Sequence, residues 1–222
     1  MKNKQACLAG RQAVVLLSGG LDSAVALYQA KKQGFECRCL IFDYKQRHRR
    51  ELKSAQAIAR YAGCKAELLK ISLPWKGSAL LDKRIKLKKS HEKIPATYVP
   101  GRNIIFLSCA LSFAETIGAQ AIFIGAHIED YSGYPDCRPE FFRAFSRVAA
   151  IGTKVGNRIR IINPVLRKNK AQIINLGKKL GVPLRLTWSC YKGGERPCGK
   201  CDSCFYRAKG FKEAGMEDPA LK

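Results

Sequence analysis

A parallel sheet covered by helices on both faces, in the doubly wound α/β manner, is what this sequence of 222 residues predicts. Short uninterrupted apolar runs alternate with helical stretches, and a glycine-rich turn joins the first run to the first helix. Beyond Thr187 the alternation breaks into a Gly- and Cys-rich tail, which reads as a small zinc-binding C-terminal appendage. The expected organisation is an α/β domain over 1–186 followed by a zinc-binding segment over 187–222. Strand–helix–strand units favour this architecture because each crossover helix buries its apolar side on a face of the sheet.

The first strand is Ala13-Val14-Val15-Leu16-Leu17, apolar throughout, as a strand buried on both faces must be. It leads through Ser18-Gly19-Gly20 into a helix from about Asp22 to Lys32, stopped at Gly34. Cys37 to Phe42 follows as a strand, Glu51 to Tyr61 as a helix, and Ala66 to Ile71 as a third strand. Regularity lapses from Pro74 to Pro100. An apolar helix over Ile104 to Ile117 then precedes a fourth strand, Ala121 to Gly125. A helix over Phe141 to Ala150, a short strand at Ile159 to Ile162 and a helix over Lys170 to Leu180 complete the series. Ligands of such sheets bind beyond the carboxyl ends of the strands, which directs attention to the loops after Leu17, Phe42 and Ile124.

A content of 46% hydrophobic and 26% charged residues excludes a disordered or fibrous chain. No apolar run approaches the roughly 20 residues that span a bilayer. Met1 to Arg11 is polar and basic with no apolar leader core, so a cytoplasmic protein is expected. Forty-one Lys and Arg against seventeen Asp and Glu give a formal charge of +24, which attracts polyanions or simply reflects a solubilising composition. The strongly basic stretch from Asp82 to Lys93 reads as a solvated insertion, with a lid or nucleic-acid arm as the alternative. Of the ten cysteines, Cys7, Cys37, Cys39, Cys64, Cys109 and Cys137 are dispersed and read as small hydrophobes.

The turn Ser18-Gly19-Gly20-Leu21-Asp22-Ser23 is built for an anion. Its glycines let the backbone come close, the following helix offers N–H groups and the positive end of its dipole, and two hydroxyls add donors. It lacks the Gly-Lys-Ser/Thr of a Walker loop and the spaced glycines of a dinucleotide fingerprint. In the tail, Cys190, Cys198, Cys201 and Cys204 supply four thiolates at knuckle spacing, which suits a closed, structural zinc site; an iron–sulfur cluster is the rival occupant. Phe42-Asp43-Tyr44-Lys45-Gln46-Arg47-His48 places an acid, a phenol and cations at one strand end. Arg102 is an anion fork and Asn103 a helix cap in Val99 to Asn103, while Asp130 to Phe141 carries carboxylates and tyrosine faces suited to a flat heterocycle. A lysine in the Arg167 to Lys170 segment suits phosphate charge. His48, His91 and His127 show no metal spacing and no adjacent nucleophile, so no hydrolytic triad is assigned.

The Ser18 to Ser23 string resembles the pyrophosphate loop of the N-type ATP pyrophosphatases, whose fold is of the adenine nucleotide alpha hydrolase type. Taken in order with Phe42-Asp43-Tyr44, Gln46-Arg47-His48, Val99 to Asn103, Gly133 to Phe141, Lys168 to Gly177, the four cysteines and Gly210 to Gly215, it resembles the 7-cyano-7-deazaguanine synthase family over nearly the whole chain from Ala13. Lys45 departs from the pattern, standing where the family usually has glycine. The resemblance implies ATP-dependent conversion of 7-carboxy-7-deazaguanine and ammonia into a nitrile, with AMP and pyrophosphate released. It implies one structural zinc per chain, and ATP used with magnesium. On this reading ATP lies on Leu17, Ser18, Gly19, Gly20, Leu21, Asp22, Ser23, Ala24, Val25, Ala26 and Leu27, with Asp22, Ser23 and Lys170 catalytic. Tyr44, Arg47, Arg102, Asn103, Asp130, Gly133, Tyr134, Asp136 and Arg138 form the expected deazaguanine pocket. A homodimer is expected, with neither a membrane nor nucleic acid required. No general base is evident. The rival readings are an RNA-modifying enzyme on the same loop, an amide-forming relative, and a basic zinc-ribbon nucleic-acid binder.

Overall fold

The structure, a computed structural model, describes residues 10–75, 77–87, 94–127 and 134–221. Five parallel strands form one sheet in the order β3-β2-β1-β4-β5, with β1 Gln12–Leu16, β2 Glu36–Asp43, β3 Lys65–Lys70, β4 Ala121–Phe123 and β5 Arg160–Ile162. The period-2 alternation of strand side chains divides the core into two. Ala13, Val15, Leu17, Cys37, Cys39, Ile41, Ala121 and Phe123 face one side, where α1 (Leu21–Lys32), α2 (Arg50–Tyr61) and α5 (Lys170–Leu180) pack. Val14, Leu16, Leu40, Phe42, Ile122 and Ile124 face the other, against α3 (Arg102–Thr116) and α4 (Pro139–Gly152). Each strand of the sheet centre is therefore apolar on both faces, which is why the sequence shows runs rather than alternation.

The sequence-predicted elements form at the expected places, with ends shifted by a residue or two. The tail differs. Asp202–Glu213 is a twelve-residue helix, α6, where the reading of a Gly- and Cys-rich appendage assigned no element. Pro197 and Gly199 precede this helix rather than interrupt it, and Cys201 is its N-cap residue. Phe211 of α6 is buried in the same core as α1 and α5. Among the described residues no helix is long and apolar enough to cross a membrane.

Strand order reverses at β1, whose neighbours β2 and β4 send the chain to opposite faces. Beyond the carboxyl ends of these strands the loops part and leave a crevice, the position such sheets reserve for ligands.

Candidate active site and thiol cluster

A cavity of about 280 Å³ opens at that crevice, lined by the β1–α1 turn, the ends of β2 and β4, the start of α3 and the tail. The turn holds itself in shape. Ser23 Oγ donates to the Gly20 carbonyl (3.0 Å) and accepts from the Ser18 N–H (3.2 Å), and the two serine hydroxyls lie 3.1 Å apart. Gly20 caps α1 with no side-chain hydrogen bond, so no side chain competes for the donors of the first turn. Gly19 has φ +86°, and a Cβ there would sit 2.3 Å from the Glu51 carbonyl oxygen, so only glycine lets α2 pack this close.

Lys170 opens α5 and reaches back across the cavity floor. Its ammonium donates to both Asp22 oxygens at 3.1 Å and to His127 Nε2 at 2.7 Å. An ammonium has no acceptor, so Nε2 is the accepting nitrogen. Burial alone would raise the Asp22 carboxyl, but the neighbouring Lys170 charge and its hydrogen bonds hold the group well below the usual carboxylate range. The lysine stem passes over Gly210 of α6, where a Cβ would meet Lys170 Cγ at 2.4 Å.

A second polar group lines the same cavity. Glu51 Oε1 accepts from Gln46 Nε2 (2.9 Å), and Gln46 also bonds the Tyr44 N–H (3.0 Å) and the Phe42 carbonyl (3.3 Å). Arg102 Nη1 lies 3.5 Å from the Tyr44 hydroxyl. Burial, and next the Glu51 charge, push the Tyr44 phenol up to about 12, so it stays a proton donor at neutral pH. Phe42 and Phe106 stack at 3.9 Å, giving this wall a flat aromatic surface.

In the tail, the sulfurs of Cys190, Cys198, Cys201 and Cys204 all lie within 4.8 Å of one another, a cluster able to hold a metal ion. Sulfurs at about 2.3 Å from a tetrahedral zinc stand roughly 3.8 Å apart. The Cys198–Cys204 separation is 4.0 Å. Backbone N–H groups of Lys192, Cys198 and Lys200 donate to the Cys190 and Cys198 sulfurs at 3.3–3.4 Å, the stabilisation that thiolate ligands need. The cluster joins the β1–α1 turn directly, since the Trp188 N–H donates to the Gly19 carbonyl (2.9 Å) and Trp188 Nε1 to the Cys190 carbonyl (2.9 Å).

A family model described as queuosine biosynthesis protein QueC matches residues 12–215. The chain belongs to the QueC family. A 7-cyano-7-deazaguanine synthase from a Nostoc species is 51% identical over 219 residues, covering 94% of this chain and 96% of that protein. A protein of the same name from Thermoplasma acidophilum is 50% identical over 216 residues, covering 94% and 91%. Among solved structures, an NMN synthetase from Francisella tularensis shares the fold at a TM-score of 0.50 and 19% identity, over 93% of this chain and 78% of that one.

In this QueC chain the expected site residues outside the thiol cluster fall into four groups. Leu17, Ser18, Gly20, Leu21, Asp22, Ser23, Tyr44, Arg102, Asn103, Tyr134 and Lys170 line the cavity together. Gly19 supports the turn from behind, and Ala24, Val25, Ala26 and Leu27 are buried in α1 as core. Arg47, Asp136 and Arg138 are not among the residues that line the cavity. Arg47 donates to the Ala79 (3.1 Å) and Ile85 (3.0 Å) carbonyls and so holds the following loop. Asp136 accepts the Asn103 N–H (2.9 Å), and Arg138 is the N-cap residue of α4. Asn103 is therefore not the cap of α3. Gly101 holds that position, and the capping oxygen arrives from Asp136. Asp130 and Gly133 lie outside the described residues, as does half of the basic stretch, 88–93. The sequence reading missed Glu51, His127, Phe106 and Trp188, all of which line the cavity. Glu51 alone carried a usable signal, an acid one helical turn after the Gln46-Arg47-His48 string.

Proposed function

We propose that this protein is a 7-cyano-7-deazaguanine synthase, converting 7-carboxy-7-deazaguanine, ammonia and ATP into the nitrile. The observation that carries the reading is about 50% identity across 94% of the chain to proteins of that name. Its support in the structure is a phosphate-type turn at the strand-order reversal, beside a polar and aromatic wall.

Carboxylate oxygen is a poor leaving group, so the substrate carboxylate first attacks the α-phosphorus of ATP and expels pyrophosphate. Ammonia displaces AMP from the acyl-adenylate to give the amide. The amide oxygen is adenylated in turn, and loss of a second AMP leaves the nitrile. Ser18, Gly20 and Ser23, with the first-turn N–H groups of α1, bind the departing pyrophosphate. Lys170 sits at the same place and offsets charge that builds on the α-phosphate. Asp22 would hold magnesium, which supplies Lewis-acid neutralisation of the phosphates. Tyr44, Arg102, Asn103 and Tyr134 orient the heterocycle. The four cysteines would hold one structural zinc, which contributes folding energy. We further assign a homodimer, with ATP, ammonia and the deazapurine as the required partners.

The test is product analysis by mass spectrometry with ATP, ammonia and the carboxy-deazapurine. About two AMP per nitrile are expected, because two oxygens leave and each departure requires an activated leaving group. ADP as the nucleotide product, or amide that never becomes nitrile, overturns the assignment.

A further inference from the structure

The proposed reaction strips all three protons from ammonia. One leaves when the nitrogen joins the acyl carbon and the C–O bond to AMP breaks, giving amide, AMP and H⁺. Two more leave the nitrogen of the adenylated amide as its C–O bond to AMP breaks, giving nitrile, AMP and 2H⁺. Adenylation itself releases no proton from nitrogen. A cavity that shelters an acyl-adenylate from water therefore needs an acceptor of its own for the nitrogen-transfer steps.

The carboxylates near the cavity are not equally placed for this. Asp22 is bound by the Lys170 ammonium through both oxygens, and His127 Nε2 accepts from the same ammonium. Asp136 is spent on the Asn103 N–H. Asp43 bonds the Lys45 N–H (3.2 Å) and pairs with Arg49 at 3.2 Å. Glu51 lines the cavity, and its Oε1 accepts from the Gln46 amide, which fixes the carboxylate against the end of β2. The charged and titratable groups facing it are Arg102 from α3 and the Tyr44 phenol from the end of β2. We propose that Glu51 is the proton acceptor of the nitrogen-transfer steps, taking protons from ammonia as the amide forms and from the amide nitrogen as the nitrile forms. The inference rests on the synthase reading above and deepens it.

Its electrostatics fit the task. Burial raises the Glu51 carboxyl to about 7, against the lowering effect of the Gln46 hydrogen bond and of Arg102. An acceptor poised there is ionised enough to take a proton at neutral pH and basic enough to take it readily.

Glu51→Gln keeps the shape and can still accept the Gln46 hydrogen bond while removing the base. Two readouts separate the roles. Exchange of labelled pyrophosphate into ATP, measured with the carboxy-deazapurine and no ammonia, reports adenylation and is expected to stay within a few-fold of wild type. Amide and nitrile formation is expected to fall by about 100-fold or more. With the amide as substrate and no ammonia present, the wild-type rate of nitrile formation should rise with pH through about 7, and this acid limb should vanish in Glu51→Gln but persist in a slower Glu51→Asp. Wild-type nitrile rates in Glu51→Gln, or an unchanged acid limb, overturn the proposal. Joint loss of exchange and nitrile also overturns it, since Glu51 would then serve binding or folding. A wild-type protein with no deazapurine-dependent exchange instead refutes the synthase reading itself, and the assignment of Glu51 falls with it.

Discussion

Lys45 alone among the described non-glycine residues has a positive φ, +59°. It follows β2 in the tight turn that brings Gln46 inward, and its N–H is held by Asp43. A left-handed conformation costs an L-residue about 1–2 kcal/mol, while glycine gives back roughly 0.4–1 kcal/mol through its freer unfolded chain. Lys45→Gly should therefore stabilise the fold by about 0.5–1 kcal/mol, read as a raised urea midpoint at unchanged slope. A lowered midpoint would mean that the lysine side chain makes a compensating contact. The neighbours show how one short string can serve three different supports. Gln46 fixes Glu51, Arg47 holds the loop through Ala79 and Ile85, and His48 packs against the thiol tail, where a Cβ on Gly193 would meet its ring.

Helix α6 is fastened by one buried ion pair. Arg207 Nε and Nη2 donate to the two Asp218 oxygens at 2.6 and 2.9 Å, with both side chains about 5% exposed or less. The same guanidinium donates to Thr187 Oγ1 (2.9 Å) and Ser189 Oγ (3.2 Å), clamping the chain that leads into the cysteines. Removing one partner strands a charge in the interior, so Asp218→Ala should cost roughly 3–5 kcal/mol in chemical denaturation. A loss under about 1 kcal/mol would show that the guanidinium relaxes to water. This helix also marks where the sequence became hard to read. The central strands β1, β2 and β4 and the helices packed on them were legible because their apolar spacing is set by a sheet centre that is buried on both faces. Residues 202–213 present few apolar side chains, Phe211 being the buried aromatic, and the cysteine spacing dominated the pattern. The β1–α1 turn and the thiol cluster were legible because residues close in sequence form them. His127 was not, since its place depends on a contact to Lys170 that only the folded chain makes, and Glu51 was signalled only by its position after the Gln46 string.

Across the whole molecule, the cavity and the thiol cluster are parts of one construction. Lys170 can reach Asp22 because α6 offers it Gly210, and α6 begins at a cysteine of the cluster. Under the proposed zinc assignment, metal loss should lower the thermal midpoint and, before global unfolding, weaken ATP binding. Cys198→Ala is expected to show both, by metal analysis and by nucleotide titration at a temperature where it remains folded. Unchanged ATP affinity in folded, metal-free protein would confine the metal to local stability.

The single hydrogen bond from the Trp188 N–H to the Gly19 carbonyl then carries a further consequence. If the two sites share one equilibrium, coupling must run in both directions with the same factor. Saturating ATP should tighten metal affinity, read by chelator competition at equilibrium, by the same factor as metal removal loosens ATP. The cell's nucleotide supply would in that case protect the enzyme from metal starvation while it is working, and leave it open to stripping when it is idle.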